Sequence, residues 1–271
     1  MLIFDFYIIF DKDYTQTIKL KFDSDSTVII KMKPKGDIMK TLLKENAQEL
    51  NITLSDDKIE KLFLYQKVLL EWNQKMNLTN ITEEREVIIK HLIDSMTIEK
   101  YLPQNASLID VGTGAGFPGM VLKIVREDIK VTLLDSLNKR IHFLDEVIKE
   151  CQLENVITVH GRAEDIAKED KYREKYDIAT ARAVANLSTL SEYCLPFVKV
   201  GGSFIAMKGN ATDEIENAKN AIQILGGEIE KIDHFYLPNT EMERNVLVIK
   251  KIRNTSNLYP RKAGTPSNKP L

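Results

Sequence analysis

Cysteine, histidine and tryptophan are scarce in this 271-residue chain, at two, four and one residues. Cys151 and Cys194 form no Cys-x-x-Cys pair and each falls in a helical pattern, so both read as buried core thiols, with no disulfide expected. His91, His142, His160 and His234 are scattered without ligand spacing, so no metal is expected either. No apolar run is long enough to cross a membrane. Met1–Phe10 is apolar but lacks the basic start and small-residue cleavage site of a signal peptide. A cytoplasmic protein with no membrane partner is the expectation. A large charge of one sign is also missing: the formal net charge is −2. Binding to nucleic acid must therefore come from local clusters of charge. The length suffices for one large α/β domain plus an accessory element.

Glycine is concentrated where it carries information. Ser107-Leu108-Ile109 has strand character and leads into Asp110-Val111-Gly112-Thr113-Gly114-Ala115-Gly116-Phe117-Pro118-Gly119. Glycine admits φ > 0 and a close approach of backbone to ligand. A strand that turns through such a loop into a helix start is a nucleotide cradle. Two registers fit. Gly114-x-Gly116-x-x-Gly119 is the dinucleotide fingerprint. Asp110-x-Gly112-x-Gly114-x-Gly116 is the loop of S-adenosylmethionine (SAM) methyltransferases. Pro118 removes a helix N–H that a pyrophosphate would use, and Asp110 brings negative charge suited to a cationic ligand. The second register is favoured. Lys130–Asp135 is the next strand, and its terminal acid, Asp135, stands where a carboxylate binds ribose hydroxyls. Asp135 also qualifies as the N-cap of a helix over 138–150.

Residues 1–38 lack a helix period and read as a poorly ordered extension. Lys35-Gly36-Asp37 reverse-translates to a purine-rich ribosome-binding sequence just before Met39, so translation is expected to start at Met39; a β-hairpin extension is the alternative. Residues 39–102 read as a helical cap. It has a short helix over 40–50 and a helix capped by Ser55 that buries Ile59, Leu62, Phe63, Leu69, Leu70 and Met76. A third, over 83–100, buries Val87, Ile88, Leu92 and Met96. Tyr65 and Trp72 read as core. Residues 103–252 alternate strands and helices. Strands are predicted at 155–160, 176–180 and 201–208, helices at 187–198 and 212–225, and a closing antiparallel pair at 228–237 and 245–251. Alternation of this kind gives a doubly wound, mostly parallel α/β sheet.

The motifs taken together resemble the bacterial 16S rRNA guanine-N7 methyltransferase family, long known as glucose-inhibited division protein B. They are Asp110–Gly119, Leu134–Arg140, Ala163-Glu164, Ala181-Arg182-Ala183, Met207-Lys208-Gly209, Trp72–Thr79, His91–Ser95 and the tail Tyr259–Leu271. The likeness runs from Met39 to Leu271. It implies a class I SAM methyltransferase, Rossmann-like with a seven-stranded sheet and helices on both faces. It also implies methylation of a guanine in the 530 loop of 16S rRNA, on naked RNA or on the small ribosomal subunit. The cofactor residues implied are Gly112 and Phe117 at the methionine end, Asp135, Ser136 and Leu137 around ribose and adenine, Ala163 and Glu164 at the adenine, and Arg182. Gly114 joins them from the loop itself. Arg182 and Lys208, after carboxyl ends of predicted strands, would position cofactor and substrate.

Guanine N7 carries an in-plane lone pair, so transfer needs alignment and no proton removal; no general base is assigned. The place after strand four lacks the Asn/Asp-Pro-Pro-aromatic motif of many amino-group methyltransferases. Lys139, Arg140, Arg182 and Lys208 form a candidate basic rim. Residues 253–271 read as an extended basic arm. Lys250, Lys251, Arg253, Arg261, Lys262 and Lys269 make six bases without an acid over 250–271, able to neutralise phosphates. A monomer is expected. Two other classes stay open: an NAD(P)-dependent oxidoreductase, for which the chain has no Tyr-x-x-x-Lys, and a non-catalytic SAM-binding ribosome-assembly factor.

Overall fold

The computed structural model describes residues 5–10, 16–23, 26–32, 35–182, 185–209 and 212–271, with side chains for 36–182, 185–209 and 214–271. Ala183 of the predicted turn lies outside the described residues. The chain divides into two compact units, 1–45 and 46–271. In the first, β1 (Asp5–Phe10), β2 (Gln16–Asp23) and β3 (Ser26–Met32) form an antiparallel meander in the stretch without a helix period. The helix α1 (Lys35–Glu49) starts five residues before the predicted one.

In the second unit α2 (Asp56–Asn73) is capped as the sequence predicts: the Ser55 hydroxyl accepts the Lys58 N–H, which satisfies one of the orphan donors of the first turn. Its Ile59, Leu62, Tyr65 and Leu69 are buried. The predicted third helix is three pieces: α3 (Glu84–Val87), a π-helical turn Ile88–Ile93, and α4 (Asp94–Met96). The division at Asn46 groups these helices with the sheet.

Strands and helices then alternate as β4 (Ser107–Val111), α5 (Gly119–Val125), β5 (Lys130–Asp135), α6 (Asn138–Glu150), β6 (Val156–His160), α7 (Ala163–Ile166), β7 (Tyr176–Arg182), α8 (Leu187–Cys194), β8 (Val198–Lys208), α9 (Thr212–Ile224), β9 (Gly227–Tyr236), β10 (Glu243–Lys251) and α10 (Thr265–Asn268). The seven strands lie in the order β6-β5-β4-β7-β8-β10-β9. The first five run parallel, and β10 is antiparallel to both β8 and β9. The chain winds outward from β4 through β5 to β6, then returns to β7 on the other side. That reversal opens a crevice at the carboxyl ends of β4 and β7, the place where open α/β sheets bind ligands.

Residues 253–271 are not an extended arm. The Arg173 guanidinium donates to the carbonyls of Thr255, Ser256 and Tyr259, and Thr255, Pro260 and Pro266 are buried. A single helical turn, α10, forms despite Gly264 and Pro266. Glycine at φ +83° makes the entry and the proline falls in the first turn, where its missing N–H has no helical partner to lose. Lys251, counted above among phosphate-binding bases, is fully buried. Its ammonium donates to the carbonyls of Leu195 and Val198 and pairs with Glu174 at 3.1 Å. Burial lowers its pKa to about 8. Cys151 and Cys194 are buried free thiols.

Candidate active site

The loop from β4 to α5 takes its shape from three glycines in the left-handed region, Gly112 (φ +69°), Gly114 (φ +61°) and Gly116 (φ +95°). Asp110 ties this loop from behind. It is fully buried, and its Oδ2 accepts the Thr113 hydroxyl at 2.7 Å and the Gly119 N–H at 2.8 Å. This corrects the expectation that Asp110 presents charge to a ligand. Its carboxylate braces the backbone, and burial pushes its pKa up to about 6. Gly119 serves packing: a Cβ there would lie 2.9 Å from the Asp110 carboxylate and 2.7 Å from Leu133 Cδ2. Behind the loop, the buried Tyr65 hydroxyl donates to the Ala115 carbonyl and its ring packs 5.3 Å from that of Phe117. Trp72 meets Phe143 edge-on.

Asp135 ends β5 and is 2 % exposed. Oδ1 accepts the Leu137 N–H at 2.9 Å, and Oδ2 accepts the Gly114 N–H at 2.9 Å and Arg140 Nη1 at 3.2 Å. A carboxylate offers about four acceptor sites, so about one is left for a ligand. The Leu137 bond is a local turn. Leu137 itself occupies the N-cap position of α6, so Asp135 is not the cap.

Two cavities adjoin at this point. The larger, about 650 Å³, is lined by Gly112, Gly114, Phe117, Asp135, Ser136, Arg140, Arg182 and Lys208, together with Thr79, Lys90, His91, Asp94 and Arg244. The smaller, about 240 Å³, shares Gly112, Asp135 and Ser136 and extends to Arg162, Ala163, Glu164, Tyr193 and Ser267. Leu137 and Lys139 line neither. The Leu137 side chain is 52 % exposed, and Lys139 stands on the solvent side of α6.

Arg182 sits in a built cluster. Its Nη1 is 2.9 Å from Asp94 Oδ2, its Nη2 is 3.2 Å from His91 Nδ1, and its guanidinium carbon is 5.0 Å from the centre of the Phe117 ring. Arg244 Nε holds the other Asp94 oxygen at 2.7 Å. His91 stacks on Phe117 with centroids 4.4 Å apart. Because Arg has no acceptor, His91 Nδ1 must be the lone-pair nitrogen, and Nε2–H donates to Thr79 Oγ1 at 2.8 Å. Burial and then the Arg182 charge drive the His91 pKa down to about 3. The charge of Arg182, expected to position cofactor and substrate, is thus engaged by Asp94. No role at the site was read from the sequence for His91, Asp94 or Arg244; the first two entered only through the motif His91–Ser95, where they stand at i, i+3.

Lys208 donates to the Ala185 carbonyl and pairs with Glu214, both at 2.7 Å. Arg261 is corrected as a free RNA contact. Its Nε and Nη2 fork the carboxylate of Glu192, which is 1 % exposed, so it fastens the tail. Lys262 and Lys269 are exposed. Among the described residues, no group of three His, Cys, Asp or Glu could hold a metal, and no helix is long and apolar enough to cross a membrane.

These residues fit SAM. Backbone without Cβ at Gly112 and Gly114 opens on the larger cavity, an acid with a spare acceptor closes the next strand, and a second cavity continues past it. The comparisons agree. The family model GidB, described as rRNA small subunit methyltransferase G, matches residues 58–246. The ribosomal RNA small subunit methyltransferase G of Acetivibrio thermocellus is 57% identical over 234 residues, covering 86% of this chain and 97% of that protein. That of Alkaliphilus metalliredigens is 52% identical over 235 residues, covering 86% and 98%. A chain from the Haloferax volcanii complex of the Trm112 methyltransferase activator superposes with a TM-score of 0.51 at 11% identity. It covers 70% of this chain and 98% of that one, a likeness of fold alone. The fold is that of class I SAM-dependent methyltransferases, and the chain belongs to the GidB family of small-subunit rRNA methyltransferases.

Proposed function

We propose that this chain transfers a methyl group from SAM to N7 of a guanine in the 530 loop of 16S rRNA. The observation that carries the reading is one cavity in which the β4 glycine loop meets Arg140, Arg182, Lys208 and Arg244. It joins a nucleoside cradle to cationic side chains suited to RNA. When bound, SAM supplies a methyl group on a positively charged sulfur. Gly112 and Gly114 allow the backbone to approach it, and the remaining Asp135 acceptor orients a ribose hydroxyl. Guanine N7 brings its own lone pair, so the residues of the cavity have only to align the reactants, which alone can supply several kcal/mol, roughly 7–11 at best. His91 is neutral with its lone pair facing Arg182, so with Phe117 it offers a flat surface and not a base.

Lys139, Arg140, Lys262 and Lys269 are the phosphate contacts of this reading, with affinity falling as salt rises. This reading takes the enzyme as a monomer that needs no metal, since transfer to N7 asks only for alignment, and places it in the cytoplasm, where ribosomal subunits are made. Mass analysis of 16S rRNA from a strain lacking the gene tests the proposal. The expected result is loss of one methyl group from a guanine-containing fragment of that loop, restored by the gene. An unchanged fragment refutes it.

A further inference from the structure

The tail is docked by contacts that phosphate binding does not need. Gly264 N–H donates to Glu164 Oε1 at 2.8 Å, and Glu164 is 4 % exposed. Thr189 Oγ1 donates to the Pro266 carbonyl at 3.0 Å, and Tyr193 Oη and Ser267 Oγ share a hydrogen bond of 2.7 Å. Arg261 forks Glu192 one turn of α8 away. Tyr193 and Ser267 are themselves on the wall of the smaller cavity. Ser267 thus brings the C-terminal segment to the wall of that cavity, and Gly264 reaches it through Glu164.

The strand order says which part of a nucleoside the smaller cavity would take. The glycine loop ends β4, Asp135 ends β5, and Ala163-Glu164 follow β6, with these three strands adjacent in the sheet. A ligand with its sulfur end at the loop and its ribose at Asp135 has its base over the end of β6. We propose that the C-terminal segment, through Gly264 and Ser267, is a wall of the adenine pocket, so that tail docking and SAM binding are coupled. The Gly264 N–H fixes one oxygen of the buried Glu164 carboxylate and leaves the other as an acceptor for the exocyclic amine of adenine. Ser267 and Tyr193 close the pocket beside it. Coupling is reciprocal: the factor by which the docked tail raises SAM affinity is the factor by which SAM stabilises docking. The inference rests on SAM being the ligand.

The test uses the full chain, calorimetry with SAM and with S-adenosylhomocysteine, and two variants. Ser267→Trp fills the cavity mouth from an exposed position. A chain ending at Lys262 removes the wall. Both are expected to weaken SAM binding tenfold or more, with the thermal midpoint of Ser267→Trp within a few degrees of the unaltered protein. In the unaltered protein, SAM is expected to slow hydrogen exchange at the Gly264 amide and tryptic cleavage after Lys262 by a comparable factor. If the unaltered chain binds SAM and Ser267→Trp binds it within twofold, the inference is overturned and the methyltransferase reading stands. Unchanged exchange at Gly264 on adding SAM overturns it too, whether or not either variant folds. Failure of the unaltered chain to bind SAM overturns the cofactor reading and the inference together.

Discussion

Replacing Arg182 separates its two jobs, holding Asp94 and shaping the cavity. The side chain is 14% exposed and its partner Asp94 is 6% exposed. Removing one member of a buried ion pair costs about 3–5 kcal/mol when the other charge is left alone. Asp94 keeps Arg244 at 2.7 Å, so about half of that applies, roughly 2 kcal/mol. Losing the guanidinium from the face of Phe117 adds about 0.5–1 kcal/mol. Arg182→Ala is therefore expected to lose about 2–3 kcal/mol, and a unit of this size melts roughly 5–10 °C lower. Arg182→Lys keeps the charge and the contact with Asp94. It cannot at once donate to His91 Nδ1 and lie flat on Phe117. That variant is expected to melt near the unaltered protein and to lose tenfold or more in methyl transfer to 16S rRNA at saturating SAM. Thermal melts and single-turnover incorporation of labelled methyl check both. Arg182→Lys with activity within twofold refutes the planar-fork argument, and an unshifted midpoint for Arg182→Ala refutes the ion-pair argument.

Three other outcomes follow from the site. His91 titrates at about 3 in the fold against 6.5 when unfolded, so the unfolded chain takes up the proton first and stability is lost as pH falls from 6.5 towards 3. Between pH 7 and pH 5 the loss assigned to His91 is about 2 kcal/mol. Urea titrations of the unaltered protein and His91→Gln should differ by that much in pH dependence, and identical slopes would sink the assignment. Gly114→Val, at φ +61° with only the Gly112 carbonyl within 4 Å of its Cβ, is expected to cost about 1–2 kcal/mol of backbone strain. It should fold but fail to bind SAM in calorimetry; unchanged affinity takes the loop out of the site. Single-turnover methyl transfer with saturated ligands is expected to be flat from about pH 6 to about pH 9, and a steep rise there would reveal a general base.

The parallel sheet was legible because its signals are local. Apolar runs such as Lys130–Asp135 mark strands, glycine marks the turn that needs positive φ, and Ser55 marks a helix start within three residues. The glycine loop after β4 was read for the same reason. What escaped was where a polar side chain points and which partner it meets. A sequence shows that Asp110 is charged but not that it faces inward, because the same residue type serves a ligand or a buried N–H. Arg261 reads as a free cation because Glu192, 69 residues away, is invisible to any local pattern. Lys251 is disguised likewise by Glu174 and two carbonyls. His91 has ordinary neighbours in sequence, and only the π-helical turn and the return of β7 bring it beside Arg182.

The strand β10, made after the other six of this sheet, is an inner strand, since β9 reaches the rest only through it. While β10 is still within the exit tunnel, β8 presents an open edge and β9 has nothing to pair with. An edge of that kind recruits other strands. The nascent chain thus carries an aggregation-prone intermediate until β10 has emerged, and chaperone demand should peak in that interval. Premature stops differ sharply in consequence. One beyond Lys251 spares the sheet, whereas one before Glu243 leaves it unfinished and exposes the truncated product to proteolysis.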